Sequence, residues 1–173
     1  MPYIKPVYVA YDGANDLEHY KEMQEWTQSD GSKFNFYDGL DLSKKIDKLP
    51  DEEVKKLISE RIDQSEVFVL LITKFTKRYR KFIRWQVEAA MNLQKPIIVL
   101  NINKIRSVDY DRVPMVFKRK NLSLHITFQA PILEFALENW PKSHYEHLEK
   151  EEIKTYRYTV DVYESLNLFT SDN

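Results

Sequence analysis

A single amide sits inside an otherwise apolar helix face. In the stretch Lys81 to Gln94, KFIRWQVEAAMNLQ, residues Phe82, Ile83, Gln86, Val87, Ala90, Met91 and Leu93 fall within about half of a helix circumference at roughly 100° per residue. Burying an unpaired amide costs roughly 1 to 3 kcal/mol, so Gln86 must find partners in the core or look into a cleft. Its neighbour Glu88 projects about 200° away and belongs to the wet face. Arg84 falls on the wet side as well, and Trp85 lies beyond the apolar arc.

Other chemistry is largely excluded by residue type. The chain has no Cys, which removes disulfides, thiolate catalysis and thiolate metal sites and is compatible with a reducing compartment. His19, His125, His144 and His147 supply no H-E-x-x-H or carboxylate-rich metal spacing; His144 and His147, three apart, could share a helix face and coordinate a metal, but without Cys or further ligands they read as ordinary surface histidines, and no metal site is expected. No Gly-x-Ser-x-Gly elbow supports a serine hydrolase. The three glycines, Gly13, Gly31 and Gly39, cannot spell GxGxxG or GxxxxGK(S/T), so a nucleotide here would be bound without a glycine-rich phosphate cradle.

The elements that position Gln86 follow from the apolar pattern. Ile4 to Tyr11 is β-branched and aromatic and stops at Asp12-Gly13, a first strand; Asn15 or Asp16 caps a helix to about Thr27 that ends at Ser29-Asp30-Gly31. Phe34 to Tyr37 is a short second strand, followed by a polar loop from Asp38 to Pro50. Asp51, Glu52 and Glu53 open a second helix with Val54, Leu57, Ile58 and Ile62 on one face. Val67 to Thr73 and Pro96 to Ile102 are nearly continuous apolar strands of the kind buried on both faces, and the helix of Gln86 lies between them. Beyond Asn103 the reading is a loop from Lys104 to Lys120, a fifth strand from Leu122 to Phe128 and a helix from Ile132 to Trp140. A tail from Lys142 to Asn173 carries a helix near Glu146 to Tyr158. The expected fold is α/β: one flavodoxin-like, three-layer domain over residues 1–141 with a mostly parallel sheet of about five strands, and a tail, 142–173, packed on or near it.

At 173 residues the chain is long enough for one well-buried domain. Its 26 basic and 27 acidic side chains leave no global field for nucleic acid or membrane. No apolar run approaches a membrane span and the N-terminus has no signal-peptide architecture, so a soluble, cytoplasmic protein is expected. In an open parallel sheet the ligand crevice lies outside the carboxyl ends of the strands where strand order reverses. Tyr11, Asp12, Asp38, Thr73 to Phe75 and Asn101 to Asn103 leave those ends, and Gln86 lies in the first turns of a following helix. A receiver domain shares this architecture, but the third strand ends Ile72-Thr73-Lys74 and carries no phosphoacceptor aspartate.

The order of elements, with V-Y-V-A-Y-D at the first strand and F-I-R-W-Q-V-E-A-A in the helix after the third, resembles the TIR-like domains, most closely the small TIR-like proteins of Thoeris antiphage defence, the ThsB type. The resemblance covers about residues 5 to 140. It implies an enzyme that breaks the nicotinamide–ribose bond of NAD, a substrate and not a resident cofactor. The product would be an ADP-ribose-derived signal that activates an effector protein. The resemblance also implies a phage-derived trigger and self-association. The family's catalytic glutamate lies in this helix in an aromatic-x-x-x-Glu frame, which Phe82 to Gln86 occupies with Gln in the decisive place. Gln86 is then a natural loss that leaves a scaffold, an isosteric substitution that traps substrate, or a residue for which Glu88 stands in, although Glu88 points to the other face.

By the same resemblance Tyr11 matches an aromatic able to stack on nicotinamide or adenine, or it simply caps the core, and Asp38 opens the loop bordering substrate. Asp12 could hold ribose hydroxyls or make the turn with Gly13. Lys44 and Lys45 could reach phosphates or be a solvated pair. The run Lys74, Lys77, Arg78, Arg80 and Lys81, interleaved with Phe75 and Tyr79, could steer a pyrophosphate or be a solvated loop. Two functions compete: a NAD-cleaving signalling enzyme impaired at Gln86, and a TIR-like interaction module with no chemistry of its own.

Overall fold

The apolar runs become a sheet in which every pairing is parallel. Pro6–Ala10 (β1), Asn35–Tyr37 (β2), Val67–Ile72 (β3), Ile97–Asn101 (β4), Ser123–Thr127 (β5) and Thr155–Arg157 (β6) are arranged β2-β1-β3-β4-β5-β6. The helices are Leu17–Ser29 (α1), Leu40–Ser43 (α2), Asp51–Asp63 (α3), Lys81–Asn92 (α4), Ala130–Glu149 (α5) and Val160–Ser165 (α6). This computed structural model describes residues 5–29, 34–78 and 80–169. Ile4 of the expected first strand, Asp30-Gly31 after the first helix and Tyr79 of the basic run lie outside the described residues.

Alternation along the strands builds two cores. Val7, Val9, Val69, Leu71 and Leu100 face α1, α5 and α6 and pack with Met23, Leu133, Leu137 and Tyr163. Tyr8, Ala10, Phe68, Leu70 and Val99 face α2, α3 and α4 and pack with Leu42, Ile58, Ile62, Ile83 and Val87. All six residues of β3 are buried, as its unbroken apolar run requires. No helix among the described residues is long and apolar enough to cross a membrane.

Five expectations are corrected. The sheet has six strands, not about five: Thr155–Arg157, placed above within a helix, pairs in register with Ser123–His125. The helix expected to end at Trp140 runs on through Pro141 to Glu149, so the boundary drawn at 141/142 cuts one helix. Proline removes one backbone donor, but Trp140 and His144, one turn apart, are both buried on the same face, and their burial keeps the helix continuous. His144 is therefore not a surface histidine. Trp85, placed outside the apolar arc, is buried beneath the ammonium groups of Lys55 and Lys81, 5.3 and 4.7 Å from its ring. The expected loop after Asp38 also contains α2, whose Leu42 is buried.

Candidate active site at the carboxyl edge of β1

Strand order reverses between β1 and β3, and Gln86 approaches that edge from α4. The two outcomes open to a buried amide are both realised. Its Oε1 accepts from the Tyr8 hydroxyl at 2.7 Å and its Nε2 donates to the Phe82 carbonyl at 3.0 Å. The residue is 1% exposed, yet it lines a small cavity with Val9, Tyr11, Gly39, Leu40 and Phe82. The volume open to water is about 20 Å³, room for about one molecule.

Tyr8 is wholly buried and stacked on Phe68, ring centroids 5.7 Å apart. Burial pushes its phenol far above the ordinary tyrosine range, so it remains a donor to whatever stands at position 86. Gly39 closes the pair from above. A Cβ there would lie 2.3 Å from the Tyr8 hydroxyl oxygen, 3.1 Å from Phe82 and 3.4 Å from Gln86 Oε1, so only glycine allows this approach. The segment carrying Gly39 is held from α3: Arg61 Nη1 donates to the Asp38 carbonyl at 3.1 Å and Nη2 to Asp41 Oδ2 at 3.0 Å. That pairing holds the Asp41 carboxyl below its ordinary range.

The residues picked out from sequence separate into two groups. Tyr11 and Gln86 line the same cavity, and Asp38 adjoins it by accepting from the Tyr11 hydroxyl at 2.6 Å. Burial, reinforced by Asp38, raises the Tyr11 phenol, and its ring stacks on Tyr20 at 4.8 Å. Asp12, Lys45 and Phe75 do not line the cavity. Asp12 is buried and organises its own turn, its Oδ1 accepting from Ala14 N and its carbonyl from Asn15 N and Asp16 N. Asp16, expected as a helix cap, turns its carboxylate to the Thr73 hydroxyl at 2.8 Å, and burial raises its pKa. Lys45 is exposed, and Phe75 is half-buried beneath Lys74 and Arg78. Glu88 pairs with Arg84 at 3.9 Å on the exposed face and cannot stand in for Gln86.

Sequence reasoning missed Tyr8, Gly39 and Arg61. Tyr8 did leave a signal, since a tyrosine in a strand buried on both faces needs a hydroxyl partner. Gly39 and Arg61 left none, because each acts on residues far away in the chain.

No curated protein matches the chain. The family model of the histone chaperone Rttp106-like middle domain matches residues 85–155, less than half of the chain. That span begins inside α4 and ends on the first residue of β6, following no unit of the fold. The model of the Thoeris protein ThsB TIR-like domain matches residues 8–107, from β1 through the loop after β4. Tyr8, Tyr11, Gly39, Arg61 and Gln86 all fall inside that match, which covers more than half of the sequence. The chain belongs to the ThsB TIR-like family and is a Thoeris-type defence protein.

Proposed function

We propose that position 86 is the seat of NAD glycosidic cleavage and that Gln86 leaves this chain able to hold substrate while largely unable to cut it. The supporting observation is the buried amide on α4, aimed at Tyr8 beside a cavity at the reversal point of the sheet. In the reaction the ribose–nicotinamide C–N bond breaks and its electron pair neutralises the pyridinium. The ribose gains oxocarbenium character, and water or another nucleophile captures it. A carboxylate at position 86 stabilises that positive charge, with the Tyr8 hydroxyl orienting it. An amide keeps the shape and one acceptor but brings no charge. Loss of one such group costs about 100- to 1000-fold in turnover. Tyr11, at the cavity wall, supplies a ring for the base to stack on. NAD is substrate, the product an ADP-ribose-derived nucleotide that reaches an effector, and a phage component the trigger, with self-association in the cytoplasm. Because the cavity holds about one water, Gly39 to Ser43 must move for NAD to enter.

The test is Gln86→Glu, assayed for nicotinamide release from NAD with purified protein and in extract of phage-challenged cells. A gain of about 100- to 1000-fold over the parent is expected. No release in either setting overturns the enzyme reading. A specific observation favours a second one, a TIR-like interaction module: both polar ends of Gln86 are already satisfied within the protein. A Gln86→Glu protein that is inert yet forms defined oligomers supports that module.

A further inference from the structure

We propose that a cleft at the opposite, amino-terminal edge of the sheet binds a small amphipathic carboxylic acid, its apolar body inside and its carboxylate at Lys120. The cleft measures about 210 Å³ and is walled by Met91, Ile97, Leu122, Leu148 and Ile153. That volume holds several waters, in a hollow whose apolar walls offer them few hydrogen bonds. An apolar body of ring size replaces them favourably.

The polar groups around the cleft decide the head group. Asn121 is already committed, with Nδ2 donating to the Phe117 and Arg119 carbonyls and Oδ1 accepting from Ser123. Lys95 is committed to the Asp63 and Ser65 carbonyls. Gln94 also lines the cleft but its side chain is a neutral amide, so the free charge is Lys120, exposed in the run Lys118-Arg119-Lys120, none of which has an ion partner among the described residues. Among the described residues no carboxylate lines the cleft. His144 donates from Nε2 to the Gln94 carbonyl at 2.8 Å, which leaves Nδ1 a lone pair, buried and without a partner. The C-terminal end of α4 also faces this cleft and carries roughly half a negative charge. An acid therefore places its carboxylate at the Lys120 rim, away from α4, and turns its apolar part inward.

The experiment follows the methionine methyl groups of the whole chain, labelled with carbon-13, during titration with benzoate and with benzamide, its uncharged analogue. Benzoate should shift Met91 saturably with a dissociation constant of about 1 mM, the affinity that about nine non-hydrogen atoms can supply. Met23, buried on α1 and outside the cleft lining, should not move. Lys120→Ala should weaken benzoate about fivefold, an exposed ion pair's share, and leave benzamide unchanged. Leu148→Trp should fill the cleft and abolish both. Absence of a saturable Met91 shift, equal affinity for the two compounds, or indifference of benzoate to Lys120→Ala would each overturn the proposal. None of these readouts depends on NAD chemistry.

Discussion

The middle of α4 and its C-terminal end are built to opposite rules. Around Gln86, midway along the helix, the amide oxygen and nitrogen are both hydrogen-bonded at close range and the space left is about 20 Å³. Past its end, near Met91 and Gln94, apolar side chains leave about 210 Å³ open and His144 keeps an unused nitrogen. Directional hydrogen bonds fix atoms to tenths of an ångström, whereas burial alone tolerates slack. One helix thus joins a tight polar site that must open to work and a loose apolar one that is already open.

Added volume is the strongest way to break this contrast. Gly39→Ala places a methyl group 2.3 Å from the Tyr8 hydroxyl oxygen. The backbone there, at φ −113, suits any residue, so the effect is purely steric. A loss of about 2 to 3 kcal/mol is expected in denaturant unfolding, together with an altered Gln86 side-chain amide signal. Ile153→Phe adds more atoms at the loose end and should cost less than about 1 kcal/mol. Equal costs would erase the distinction.

Removing one hydroxyl probes the tight end alone. Tyr8→Phe keeps the ring on Phe68 but strips Gln86 Oε1 of its donor inside the core. About 2 kcal/mol of stability should be lost, the cost of an orphaned buried acceptor. In the Gln86→Glu background the same change should raise the pKa of the introduced carboxyl, read by NMR titration, because a hydrogen bond to the charged form is gone. An unchanged titration would remove Tyr8 from the site.

This contrast also marks what could be read from sequence. The unbroken apolar runs of β3 and β4 and the misplaced amide on α4 were legible because burial writes itself as periodicity. Glu88's exclusion followed from helix geometry and agrees with its pairing to Arg84. β6 was hidden because three residues, Thr155–Arg157, carry no period of their own and are held by β5. Pro141 read as a stop because local chemistry says so, while burial of Trp140 and His144 overrode it. Gly39 and Arg61 matter through contacts across the fold, which no spacing records.

Acid separates the two ends next. Burial raises the Tyr8 phenol and Gln86 does not ionise, so acidification from neutral down to about pH 5 leaves the tight end alone. Away from that site burial lowers His144, and it pushes His125 from 6.5 down to about 3. Below pH 6.5 the unfolded chain takes up protons that the folded chain refuses, so stability falls as pH drops toward 3. Between pH 7 and 5, His125 alone should account for about 2 kcal/mol. His125→Gln should flatten that part of the pH–stability curve, and an unaltered slope would show that His125 does not carry it.

The smallest effect on stability belongs to the clamp over the tight end. Arg61→Ala removes the bonds to Asp41 and to the Asp38 carbonyl. Because Arg61 and Asp41 are partly solvated, it should cost about 1 kcal/mol or less. Access should change more than stability. With Gly39 to Ser43 released, amide exchange in that segment should quicken and NAD should reach position 86 more readily, while exchange around Met91 stays as it was. Strong acid, below pH 3.8, should imitate the variant. The Asp41 carboxyl is held below its usual 3.8, so its contribution is complete above that value and is lost as pH falls through the lower, folded one. If exchange at Gly39 quickens neither on losing Arg61 nor under acid, the clamp is not what keeps Gln86 closed off, and the tightness of this end rests on the Tyr8–Gly39 contact alone.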